Sequence, residues 1–256
     1  MLRSIYETIG YKLKAGDDVF GKVRDFLFDE DQWTIRWLVA DTGSWLPGRK
    51  VLISPITLGD PDWNAGQFPV RMTREEIEKS PGLDLDAPVS RQYEKRWLDE
   101  YGWPYYWGPG LMAGGGGVWA GAMEPQALLM QQQREDKDYD ATPEEEDDVL
   151  RSVTGVLGYH LQAADGDCGH VEDFIIDETT WTIGYLVVDT RNWLPGRKVL
   201  IAPAWMQSID WADRVVTCGL QQEQIKNSPE YDPTEPITRD YEQQLYDFYG
   251  RPVYWR

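Results

Sequence analysis

The chain is one sequence written twice. Residues 2–107 align on residues 150–255 at a single offset of 148, without a gap, with 48 identities in 106 positions. The best-kept stretch is WLPGRKVLI, nine identical residues at Trp45–Ile53 and again at Trp193–Ile201. Around it, GKVRDFLFDEDQWTIRWLVADT answers GHVEDFIIDETTWTIGYLVVDT, and SRQYEKRWLDEYGWPYYW answers TRDYEQQLYDFYGRPVYW. A repeat of this length is the size of an ordinary domain. Two long copies are not a solenoid, which stacks several short ones. The expected organisation is one unit over 2–107, a second over 150–255, and a connecting segment over 108–149.

The connecting segment has no partner within the chain. Its first half is Gly-rich and its second half, REDKDYDATPEEEDD, is acidic. It carries 2 basic and 10 acidic residues, nearly half of the excess behind the formal net charge of −19. Glycine loosens a chain and clustered carboxylates repel one another, so this segment is expected to be extended and flexible. The overall charge argues against a nucleic-acid binder, which needs Lys and Arg to neutralise phosphates, and against adhesion to an anionic membrane surface. A hydrophobic content of 41%, with 13 Trp and 14 Tyr, is enough for folded cores. The opening MLRSIYETIGYKLKAGDD shows no basic stretch followed by an apolar run, so no secretory leader is expected. The Gly/Ala-rich window GPGLMAGGGGVWAGAMEPQALLM is broken by Glu124 and Pro125 and does not read as a membrane span. The expected location is the cytoplasm.

Within a unit the signals are mostly β. KVRDFLFD alternates, WTIRWLVAD is rich in β-branched and aromatic residues, and the short DEDQ between them reads as a hairpin. DTGSWLPGRK is dense in turn formers and leads into the apolar run VLIS. Further strands are expected over IGYKLKA and QFPVRMT. Thr73 followed by Glu76 is a capping-box pattern opening a helix that Pro81 stops. A second helix is expected over Ser90–Tyr101, with Tyr93, Trp97, Leu98 and Tyr101 on one face. Short strands with closely spaced turns predict a mainly β fold, each unit a small sandwich or barrel followed by short helices and an aromatic extended tail.

The stretch GKVRDFLFDEDQWTIRWLVADTGSWLPGRKVLISP, and its copy from Gly169 to Pro203, resembles the PRC-barrel domain. That family is named for the cytoplasmic domain of the photosynthetic reaction centre H subunit and includes the C-terminal domain of a ribosome maturation factor. The pattern is Gly21-x-Val23-x-Asp25 on one strand, WLVAD on the next, and KVLI-x-P after the turn. The chain looks like bacterial proteins with two such barrels, each with a helical tail. The resemblance implies two tandem small, strongly bent antiparallel β-barrels that dock on protein partners, and it implies no chemistry. Neither a membrane helix nor an RNA-processing domain is expected beside the barrels, so neither of those specific roles is expected to carry over.

The candidate interaction residues are therefore Trp45, Arg49 and Lys50, with Trp193, Arg197 and Lys198. Trp and Arg are enriched among binding hot spots. The competing account is that Pro47-Gly48 forms a turn and the flanking residues only keep the next strand in register. The duplicated acids Asp25, Asp29, Asp41, Asp173, Asp177 and Asp189 could suggest paired carboxylates for acid–base work, but no histidine is duplicated and no nucleophile accompanies them; Asp29 and Asp41 end strands, where Asp commonly forms turns. His160, Cys168, His170 and Cys218 fit no metal-ligand spacing and are not shared by the first repeat, so no metal and no cofactor is expected. Cys168 and Cys218 replace apolar residues and read as buried thiols. The expectation is a non-enzymatic assembly adaptor that binds another protein, with room for self-association. The alternative is a small-ligand or lipid-headgroup binder using a groove between the barrels.

Overall fold

The computed structural model describes residues 1–80, 89–90, 94–95, 97–99, 149–190 and 197–255. Residues 108–148 of the connecting segment and the first aromatic tail lie outside these residues, and so does Trp193. The first repeat supplies β1 (Leu2–Ser4), β2 (Lys12–Ala15), β3 (Asp18–Asp29), β4 (Thr34–Asp41), β5 (Lys50–Ile53), β6 (Gln67–Val70), α1 (Arg74–Lys79) and β7 (Val89–Ser90). From Val149 onward come β8 (Val149–Ser152), α2 (Val153–Val156), β9 (His160–Ala163), β10 (Gly166–Asp177), β11 (Ile183–Asp189), β12 (Lys198–Ile201), β13 (Met206–Asp210), β14 (Val215–Cys218), α3 (Gln222–Asn227) and α4 (Arg239–Tyr249). The protein is mainly β, with two sheets. Among the described residues the strand pairing closes neither sheet into a barrel, and no helix is long and apolar enough to cross a membrane.

Each sheet grows around one twelve-residue strand, β3 or β10. Antiparallel pairing joins β3 to β4 and β4 to β5, and likewise β10 to β11 and β11 to β12. The expectation of purely antiparallel sheets fails in one place per sheet. Strand β2 pairs β6 in parallel, Lys12 opposite Gln67, and β9 pairs β14 in parallel, His160 opposite Val215. The cause is topological: three strands intervene between β2 and β6, so the chain returns to the outer edge of β2 from its starting end. The core lies on Phe26, Phe28, Trp37, Leu38, Leu52 and Phe68 in one sheet, and on Phe174, Tyr185, Leu186 and Leu200 in the other.

The compact units are not the sequence repeats. One unit consists of Met1–Glu7, Val153–Glu178 and Thr182–Arg256; the other consists of Thr8–Ser152 and Thr179–Trp181. Each sheet thus takes a short strand from the opposite repeat. Strand β10 pairs β9 over Gly166–His170, and past that point the same side is taken by β1, with Leu2 opposite Asp177 and Ser4 opposite Ile175. Strand β3 likewise outruns β2 and receives β8, with Ser152 opposite Leu27 and Arg151 opposite Phe28.

Two local features allow this. A Cβ on Gly21 would sit 2.5 Å from the Asp41 carbonyl oxygen, and one on Gly169 2.0 Å from that of Asp189, so the crossing of the long strand over its neighbour requires glycine. Register shifts then fall between Val23 and Asp25 and between Val171 and Asp173. A bulge bends the strand and re-aims the next side chain. That is why Asp25 and Asp173 leave the simple alternation and meet the incoming strand.

The first helix forms as its cap pattern predicts. The Thr73 hydroxyl accepts from the Glu76 backbone and Glu76 reaches back to the Thr73 N–H, a reciprocal capping box. The second helix is fully described in the second repeat as α4, opened by Thr238 and closed by Gly250 in the left-handed conformation. Its counterpart in the first repeat is helical at the described positions Glu94, Lys95 and Trp97–Asp99.

Candidate functional site

The duplicated turn comes first. Thr42 and Arg49 bracket it: the Thr42 hydroxyl lies 2.9 Å from the Leu46 carbonyl and 2.7 Å from the Arg49 carbonyl. The Arg49 guanidinium does not face solvent freely. Its Nη1 donates to the Glu78 carbonyl at 2.8 Å and its Nη2 to the Ser80 carbonyl. These oxygens belong to the end of α1, where carbonyls lack helical partners. In the second repeat the Arg197 Nη2 donates to the Ser228 carbonyl just past α3. The two arginines therefore seal a helix end onto the turn.

Lys50 opens β5 opposite Asp41, and Lys198 opens β12 and pairs with Glu172 at 2.9 Å. Of the four basic candidates, Arg49, Arg197 and Lys198 are engaged within their own units, while Lys50 is placed by its backbone pairing alone. Trp45 differs. Half-buried, it donates from Nε1 to Glu78 at 3.1 Å, meets Phe20 edge-on at 5.9 Å, and carries the Arg74 guanidinium 4.5 Å above its ring. Arg74, which sequence reading passed over, completes this surface pair.

A second arrangement escaped sequence reading altogether. Glu242, on α4, is only 2% exposed. It accepts from the Tyr185 and Tyr254 hydroxyls, each at 2.8 Å, and pairs with Arg239 at 3.0 Å. Burial drives both phenol pKa values upward, that of Tyr254 to about 12, and both stay neutral donors. Arg239 in turn lies 4.3 Å over the Trp255 ring and 5.6 Å from that of Tyr254. A buried carboxylate must be paired and hydrogen-bonded; here that need fixes the aromatic tail to the helix. The first repeat repeats the theme: Glu94 is buried and accepts from Trp37 Nε1 at 2.7 Å. The available signal was an acid kept at the 148 offset on an otherwise apolar helix face. Beside the anchor, Tyr254 is 58% exposed.

The third arrangement receives the exchanged strands. Ser4 donates its hydroxyl to Asp173, which also accepts from the backbone N–H of Tyr6 at 3.0 Å and of Phe174 at 2.6 Å. Burial, with a smaller contribution from the Glu7 charge, lifts the Asp173 carboxyl to about 6 despite these donors. Ser152 donates to Asp25 at 2.5 Å in the other unit, and Phe26 N–H donates to the same carboxylate at 2.8 Å. Asp29 is a turn residue, accepting from the N–H groups of Asp31 and Gln32 and pairing with buried Arg36 at 3.0 Å. Asp41 accepts from Gly43 N–H at 2.9 Å.

Cys168 and Cys218 are buried free thiols, and burial, with the neighbouring Cys218, pushes the Cys168 thiol up to about 12. Among the described residues, no three His, Cys, Asp or Glu side chains gather as a metal site. A small apolar hollow lies in the Thr8–Ser152 unit, lined by Ile35, Trp37, Pro55, Ile56, Leu98 and Trp181. Compared with known proteins, the chain matches no family model and no curated protein.

Proposed function

We propose that the protein is a cytoplasmic, non-enzymatic adaptor of the PRC-barrel type, built from two barrel-like units, which binds another protein through Arg-topped aromatic surfaces. The observation that carries this reading is the tail anchored on Glu242. Trp255, Tyr254 and Arg239 are held in one arrangement from beneath, with Tyr254 left exposed. Rigid aromatic and arginine side chains in a fixed geometry lose little entropy on binding and dominate interface energetics. Trp45 under Arg74 offers a second, smaller contact of the same composition. In the turn, Arg49 and Arg197 donate to helix-end carbonyls, so the reading rests on the aromatic surfaces rather than on these two arginines.

The test places a photo-crosslinking phenylalanine analogue at Tyr254 in the full chain, in cells. A specific adduct is expected, and Trp255→Ala should abolish it at unchanged protein level. An adduct indifferent to Trp255→Ala, or none at all, would overturn the reading.

A second reading, a small-ligand binder with its site inside one unit rather than in a groove between barrels, has the small hollow lined by Ile35, Arg36, Trp37, Ser54 and Leu98 as its observation. Saturable quenching of tryptophan emission by an apolar probe, lost in Leu98→Trp, would favour it over the adaptor.

A further inference from the structure

Both sheets contain a slot filled by a strand that carries the same Leu-Arg-Ser triplet, and neither the tail nor the turn accounts for it. We infer that the slots along β3 and β10 are strand-binding sites for a Leu-Arg-Ser segment, and that the partner they fit is a second copy of this chain, which exchanges its β1 with the first.

Each slot is occupied by a strand from the other repeat, so it is built for a segment that does not continue into it. Recognition goes beyond backbone pairing. The serine hydroxyl meets a buried aspartate in both places, Ser4 on Asp173 and Ser152 on Asp25. The arginine meets a glutamate in both, Arg3 on Glu178 at 3.4 Å and Arg151 on Glu30 at 3.2 Å.

Occupants and receivers are also identical in type. Leu2-Arg3-Ser4 repeats as Leu150-Arg151-Ser152, and Asp25 and Glu30 repeat as Asp173 and Glu178. The slot chemistry has no means of telling its own chain's strand from that of another copy. Only the tether decides, by holding the local strand at an effective concentration of order millimolar. Exchange of an identical element between copies is a low-cost route to a dimer.

Leu2 and Asp177 face each other across the β1–β10 pair, which supplies a direct test. Full-length Leu2→Cys and full-length Asp177→Cys are mixed, unfolded in denaturant, refolded together at millimolar concentration, and oxidised only after refolding. Cys168 and Cys218 are buried in the folded chain. The expected product is a disulfide-linked pair of chains, absent when either variant is refolded alone. Its yield should fall at least tenfold on refolding at micromolar concentration, and Ser4→Pro in the first variant should remove it. No linked pair in samples with native circular dichroism would overturn the inference, as would an equal yield with Ser4→Pro. Independently of any variant, the unmodified chain refolded at millimolar concentration should contain a dimer by light scattering. Monomer alone would overturn it too.

Discussion

A methyl group at Gly169 has nowhere to go, since the nearest atom is a backbone oxygen 2.0 Å away and φ is +120°. Backbone cannot swing aside as a flexible side chain can, so Gly169→Ala should destabilise the chain by about 2–4 kcal/mol, read as a lowered urea midpoint. Four residues on, Asp173 sets a pH dependence. Its carboxyl titrates near 6 in the fold against an ordinary 3.8, so the folded state holds the proton more tightly. Stability contributed by this group therefore falls as pH rises from about 4 to 6, and the cost is fully present above that. Asp173→Asn removes it. The variant's Tm relative to the parent should be higher at pH 7.5 than at pH 4, by the equivalent of about 1–3 kcal/mol. Trp181 is a third special residue, with φ of 57°, unusual for a bulky side chain. Its ring packs 6.0 Å from Phe26 and 6.2 Å from Phe68, which holds the turn in that conformation.

Among the elements, the strands β4 and β5 and the helix α1 were legible, because each carries its own period or cap. Strand β1 was not. Three residues, Leu-Arg-Ser, have no period to read, and what makes them a strand is a receiver about 170 positions away. The buried Glu94 and Glu242 were likewise hidden, since a carboxylate on an amphipathic helix reads as solvent-facing until its aromatic donors are located. The WLPGRK turn was legible as a turn, while the work of its arginine was not: the α1 carbonyls that it holds come some thirty residues later. That assignment separates two neighbours. Arg49→Met should cost about 1–3 kcal/mol by stripping donors from the Glu78 and Ser80 carbonyls. Lys50→Met should stay within about 0.5 kcal/mol. Parallel urea titrations of the two variants check this.

For the whole molecule, reciprocity of the strands makes covalent continuity dispensable once folding is complete. Each unit contains segments of both repeats. A protease site placed in the connecting segment should give two fragments that co-elute as one species in native buffer and separate only in denaturant. Elution as two species would argue that the borrowed strands hold nothing together. The buried thiols report the same cooperativity. With Cys168 held near 12, reaction with an aromatic disulfide at pH 8 should proceed at the rate of unfolding rather than at that of an exposed thiol.

The Ser4–Asp173 latch also has a consequence in time. Its partners are 169 residues apart. At a synthesis rate of about 5–20 residues per second, on the order of ten to thirty seconds pass between the emergence of β1 from the ribosome and that of its receiver. For that interval Leu2–Ser4 is a strand without a sheet. A chain made at high ribosome density along one message is surrounded by neighbours waiting in the same state.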